Sequence, residues 1–197
     1  MKDFNINNYI NSQKSSDNIN LDAFPEIDLY MDQVMQLFES KLSYTKRNAD
    51  DKVLTKTMIN NYSKGNLLMK IKNKKYTKNH LILMGLIYNL KGALSLTDIK
   101  TILTPIVDSF EKEQEYPLND IYQSFLDIYD LNLEDIKNSP NKIYENIKQL
   151  VNSNGDKLSD YEEKFLLICA YVSMSNLYRR MSEQIIDECF NISKTSK

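Results

Sequence analysis

Residues 55–103 read TKTMINNYSKGNLLMKIKNKKYTKNHLILMGLIYNLKGALSLTDIKTIL, and the punctuation of this stretch decides the fold. Thr55 suits the N-cap of a short helix running to about Lys64, with Met58, Ile59 and Tyr62 as its apolar positions. Gly65 and Asn66 end it, since both tolerate a left-handed backbone. Asn66 to Tyr76 is apolar and then basic, which suits an extended loop or a small wing. Thr77 starts the next helix, whose Leu81–Leu90 stripe reads as core, and Gly92 stops it. Ser95 caps a further short helix, Leu96 to Leu103, with Pro105 after the stop.

Outward from this centre the reading stays helical. Upstream, PEIDLYMDQVMQLFESKLS predicts a helix opening at Pro25, with Ile27, Met31, Val34, Met35, Phe38 and Leu42 at helical spacing. Residues 45–52 are polar and predict a loop. Downstream, Tyr116-Pro117-Leu118-Asn119 opens a helix to about Tyr129, and short helices follow at Leu133–Lys137 and Lys142–Val151. Ser159 caps a long last helix, Asp160 to about Phe190, with an acidic first turn that complements the helix dipole. Its run Phe165–Val172 is apolar on nearly all sides, which predicts burial all round. The chain has 197 residues and only four glycines and four prolines, too few for the turns of a large sheet protein. The expected fold is all-α. Residues 1–20 are expected to be a disordered polar tail, 21–104 an N-terminal helix plus the central helical module, and 105–197 a C-terminal helical region.

Composition excludes several functions. No run approaches the roughly 18 apolar residues of a membrane span, and the N-terminus lacks a secretory apolar region, so a cytoplasmic protein is expected. Cys169 and Cys189 make neither a disulfide scaffold nor a four-ligand zinc site, and read as buried free thiols. The single histidine, His80, removes the common His-based metal and triad sites, and fits a capping or surface role in the first turn of its helix. No phosphate-binding glycine loop or nucleophile elbow is present. No enzyme, metal or cofactor is expected.

Charge is the informative quantity. The chain carries 25 basic and 27 acidic side chains, which looks balanced. Residues 1–45 hold three basic and seven acidic side chains, a net −4. Residues 46–80 hold ten and two, a net +8, and residues 81–197 hold twelve and eighteen, a net −6. A basic module between acidic ones is the electrostatic footprint of a polyanion-binding surface. Lysine, threonine, asparagine and tyrosine at Lys56, Thr57, Asn60, Asn61, Tyr62, Lys64, Lys72, Lys74, Lys75, Tyr76 and Lys78 suit contacts to phosphates, and the asparagines can reach base edges.

Thr57-Met58-Ile59-Asn60-Asn61-Tyr62, Gly65-Asn66-Leu67-Leu68, Lys75-Tyr76-Thr77 and Leu94-Ser95-Leu96-Thr97-Asp98-Ile99-Lys100 together resemble the winged helix-turn-helix of MerR-type regulators. More closely, TKTMINNY, KKYTKNH, LSLTDIK and the upstream FPEIDLYMDQV are similar to an uncharacterised bacterial domain-of-unknown-function family, number eighteen-thirty-six, over roughly residues 22–150. The resemblance implies a DNA-binding transcriptional regulator that reads duplex DNA with helix 55–64 and a basic wing at 70–78. It makes Thr57, Asn60, Asn61 and Tyr62 recognition-helix residues and Lys72, Lys74, Lys75 and Tyr76 wing residues. Tyr62 and Tyr76 fit core packing equally well. The first helix of the motif is either an abbreviated one at Val53–Lys56 or the upstream Ile27–Leu42 helix. A homodimer through the C-terminal helix is expected with DNA binding. The alternative is a helical protein–protein adaptor that keeps the scaffold without binding DNA.

Overall fold

A computed structural model describes residues 17–138, 143–147, 149 and 159–190. The described chain is all-α apart from one two-stranded sheet. The elements are β1 (Leu29–Tyr30), α1 (Met31–Leu42), α2 (Lys56–Lys64), β2 (Lys75–Tyr76), α3 (Lys78–Leu90), α4 (Leu96–Glu111), α5 (Leu118–Asn138) and α6 (Asp160–Cys189).

The core is built around α3. Every residue from His80 to Ile87 is buried, so this helix is covered on all sides rather than on one stripe. Val34, Phe38 and Leu42 of α1 join it at i, i+4 and i+8, and Ile59 and Tyr62 of α2 join it below the first turn. Gly85 lets α5 come close, because a Cβ there would lie 3.2 Å from the Tyr122 hydroxyl and 3.5 Å from Phe24 Cζ. The Tyr122 ring packs on Phe24 and Phe125, with ring centres 5.6 and 5.8 Å away. Its hydroxyl donates to the Ile19 carbonyl at 2.7 Å.

Several sequence expectations are corrected here. The upstream helix begins at Met31, not Pro25: residues 25–28 are non-helical, with bends at 26 and 27, and Leu29 and Tyr30 pair antiparallel with Tyr76 and Lys75. Leu29 is buried by that pairing while Ile27 stays exposed, so the apolar residue at 27 belongs to no helix face. The polar N-terminal segment does not extend to residue 20, because Ile19 is buried and Tyr129 donates to Asp17 at 3.0 Å. The rest of that expected tail, residues 1–16, lies outside the described residues.

Helix α4 runs through Pro105, so the expected stop at Leu103 and the domain boundary at 104/105 both fall inside a helix. Ile99, Leu103, Ile106 and Val107 share one buried face. Burying Ile106 and Val107 contributes about 1.5–3 kcal/mol each, enough to offset the roughly 3 kcal/mol of an interior proline. Helix α5 likewise continues past Tyr129 to Asn138, since Leu126 and Leu133, seven apart, are both buried on one side. The expected helix at Lys142–Val151 falls partly outside the described residues.

The last helix starts where expected. The Ser159 hydroxyl accepts from the Glu162 N–H, and the Glu162 carboxylate accepts from the Ser159 N–H at 2.8 Å. Its middle is not buried all round: Phe165, Ile168 and Val172 are exposed, and α6 buries only Leu167 and Ile186. Cys169 and Cys189 are exposed free thiols, not buried ones. No described helix is long and apolar enough to cross a membrane.

Candidate nucleic-acid interface

Helix α2 follows its cap. The Thr55 hydroxyl accepts from the Met58 N–H at 3.1 Å, satisfying one of the first-turn donors. The helix that precedes α2 is α1, and Val53 and Leu54 are buried, non-helical loop residues. Glu39 of α1 ties that loop down by accepting from Lys46 Nζ and from the Val53 N–H. The Lys46 ammonium holds the Glu39 carboxyl below its ordinary value.

Burial divides α2 into two faces. Ile59 and Tyr62 point into the core. Lys56, Thr57, Asn60, Asn61 and Lys64 are exposed and lie within an arc of about 140° at 100° per residue. Neither Lys56 nor Lys64 has a salt-bridge partner among the described residues.

The chain then turns at Asn66, whose φ of 56° is left-handed. Leu67 and Leu68 enter the core, and the following segment forms a tight hairpin. Lys72 and Lys75 are bridged, and the Lys75 N–H donates to the Lys72 carbonyl at 3.0 Å. The two residues between them, Asn73 and Lys74, have φ of 53° and 59°. Positive φ at both central positions is the mark of the primed turn that matches the natural twist of a hairpin. Asparagine tolerates that conformation, whereas a lysine there is strained by about 1–2 kcal/mol. Lys72, Asn73 and Lys74 are exposed, so the hairpin tip carries two lysines without salt-bridge partners among the described residues.

The hairpin is held at its base by groups far away in sequence. Glu111 at the end of α4 accepts from the Lys70 N–H and pairs with Lys70 Nζ at 3.4 Å, and these contacts hold its carboxyl below the ordinary value. His80 Nε2 donates to the Met69 carbonyl at 3.2 Å, while its Nδ1 accepts from the Thr77 N–H at 3.1 Å. Both expected options for His80 are therefore refined: it caps α3, and it is buried rather than on the surface. Burial holds its imidazole below the ordinary value.

Of the eleven residues that the sequence nominated, seven are exposed: Lys56, Thr57, Asn60, Asn61 and Lys64 on α2, and Lys72 and Lys74 at the hairpin tip. Lys75 is half-buried with its ammonium 5.4 Å over the Tyr30 ring, and Lys78 is paired with Glu26. For Tyr62 and Tyr76 the core-packing alternative holds and the direct DNA contact is set aside. Both rings are buried in the core, where Tyr76 packs edge-on against His80 at 5.9 Å. Sequence reading missed Asn73, whose left-handed backbone shapes the tip, and Glu111, which steadies the hairpin. The Asn73 turn had a signal in its residue type. The Glu111 contact had none, because it spans 41 residues.

These features define an all-α domain, its core running from Ile19 to Leu126, that presents a polar helix face and a basic hairpin. The chain belongs to the family described as Domain of unknown function (DUF1836), whose model matches residues 19–125, more than half of its length. That match ends almost where the core cluster ends, so α6 lies outside it. No curated protein and no solved structure matches the chain significantly.

Proposed function

We propose that this protein is a DNA-binding transcriptional regulator of MerR-like type, with α2 as the reading helix and the Lys72–Lys75 hairpin as its wing. The observation that carries the reading is Lys74. A lysine occupies a left-handed turn position that glycine or asparagine fills without strain, and it stands exposed beside Lys72. Backbone strain of this kind persists where the surrounding structure fixes it, and it clusters at functional sites. The outward face of α2 adds Lys56 and Lys64 for phosphates, and Asn60 and Asn61 for the donor and acceptor edges of adenine. Lys75, Lys78, Tyr62 and Tyr76 take no direct part, since the first two are engaged and the last two are buried.

One short helix reads few bases, so a specific site requires two copies on two half-sites. The homodimer through α6 supplies them. The test replaces Lys56, Lys64, Lys72 and Lys74 with alanine and follows duplex binding by fluorescence anisotropy across salt concentrations. Each lost phosphate contact lowers the slope of log K against log salt by about 0.9, so the fourfold variant loses about 3–4. Equal slopes for wild type and variant would overturn the proposal. A nuclease-insensitive, stoichiometric protein partner on the same lysines would favour the adaptor role instead.

A further inference from the structure

His80 clasps both ends of the basic hairpin to α3. Its Nε2 donates to the Met69 carbonyl at 3.2 Å, on the segment that enters the hairpin. Its Nδ1 accepts from the Thr77 N–H at 3.1 Å, on the segment that leaves it. The Tyr76 ring lies edge-on against the imidazole, and the side chain is only 4 % exposed.

The choice of residue at this position is unusual within the chain itself. Three described helices open on a capping box, in which the side chain at the third helical position reaches back to the N-cap N–H. At α1 that side chain is Gln33 and at α6 it is Glu162, the common residue types for the role, and both are exposed. At α3, the helix that follows the hairpin, it is a buried histidine. A glutamine oxygen accepts at every pH, whereas an imidazole Nδ1 accepts only while the ring is neutral.

We propose that His80 is a pH-operated latch: its protonation releases the Lys72–Lys75 hairpin from α3 while the helical core stays folded. The added proton sets an Nδ1 donor against the Thr77 N–H. The Thr77 hydroxyl, 2.8 Å from Nδ1, can turn to accept it, but the backbone N–H cannot turn and loses its partner. Thr77 directly follows β2, so its displacement passes to Tyr76 and Lys75. The charges around the ring set the balance. Asp28 ahead of β1 and Glu111 of α4 favour the imidazolium, while Lys70 is engaged by Glu111 and Lys78 by Glu26. Burial opposes the two carboxylates and prevails, so the neutral, latched ring is the form at neutral pH.

The latch rests on the DNA-binding reading only for its consequence. On that reading a loosened wing weakens duplex binding on acidification, where added positive charge alone would strengthen it. The test reads the hairpin without DNA, so the two fail separately. Backbone order parameters of the full chain are measured by NMR from neutral pH to one unit below the midpoint of the His80 ring signal, for wild type and for His80→Gln. In the wild type the amides of residues 72–75 are expected to fall from about 0.85 to below about 0.6, with the same midpoint as the ring, while those of α1 and α5 hold. His80→Gln keeps the cap acceptor and is expected to show no such transition. Hairpin order that persists while the ring titrates would overturn the latch. So would a loss shared equally by α1 and α5, which is whole-chain unfolding, or the same transition in His80→Gln, which assigns it to another group. The coincidence of midpoints in the wild type decides the matter even if the variant fails to fold.

Discussion

Replacing Lys74 with glycine separates the shape of the hairpin from its charge. The Lys74 backbone is left-handed, with φ of 59°, and this costs an L-residue about 1–2 kcal/mol. Glycine adopts the conformation freely but has more entropy to lose on folding, about 0.5–1 kcal/mol. The Lys74 side chain is exposed and makes no salt bridge within the described residues, so its loss removes no packing. The balance is a gain of about 0.5–1 kcal/mol, which raises the melting temperature by about 1–4 °C for a chain of this size. The same substitution removes one wing charge, so the salt slope of DNA binding falls by about 0.9. Differential scanning fluorimetry and anisotropy titrations on one preparation read both effects. A lower melting temperature would refute the strained-turn geometry. A higher one with an unchanged salt slope would refute the role of the lysine in binding.

Other outcomes follow from the same physical reasoning. Tyr122→Phe keeps the ring packing but strips the donor from the buried Ile19 carbonyl, so urea unfolding should show a loss of about 1–3 kcal/mol; an unchanged midpoint would mean the hydroxyl does not anchor the N-terminal segment. Thr55→Ala removes the cap of a nine-residue helix, with an expected loss of about 0.5–2 kcal/mol by the same assay. His80 is the only histidine, so its ring proton signal in NMR is unambiguous, and it should titrate below the ordinary value of about 6.5. A folded-state value depressed by burial means that stability is fully present above pH 6.5 and is lost as pH falls through the folded value, when protonation removes the Nδ1 acceptor for the Thr77 N–H. A titration midpoint at or above 6.5, or stability that rises on acidification through this range, would contradict the buried capping geometry.

Local signals carried much of the fold into the sequence. The caps at Thr55, Ser95 and Ser159 lie where side-chain oxygens next to helical periodicity place them. The failures come from tertiary packing overriding local rules. Pro105 reads as a stop, yet the buried face shared by Ile99 and Leu103 with Ile106 and Val107 carries the helix through it. Ile27 reads as a helix position, yet strand pairing at Leu29 and Tyr30 claims that segment for the sheet. Tyrosine is ambiguous by nature, since one side chain offers a ring to the core and a hydroxyl to a phosphate. At Tyr62 and Tyr76 the core took the ring, a result set by α3 and by Leu67 and Leu68 rather than by spacing. The apolar run of α6 was visible, but its exposure was not. Whether such a run is covered within one chain or by another depends on where neighbouring helices end, which periodicity does not encode.

Binding of duplex DNA by the exposed face of α2 and the strained lysine hairpin is the proposal on which the function rests. The most direct measurement is selection from sheared genomic duplex DNA on the immobilised wild-type chain, followed by sequencing, with the fourfold lysine-to-alanine variant run in parallel. The expected result is enriched fragments sharing a motif in two related half-sites, with enrichment lost in the variant. Recovery of the same fragments by wild type, variant and bare support would contradict it.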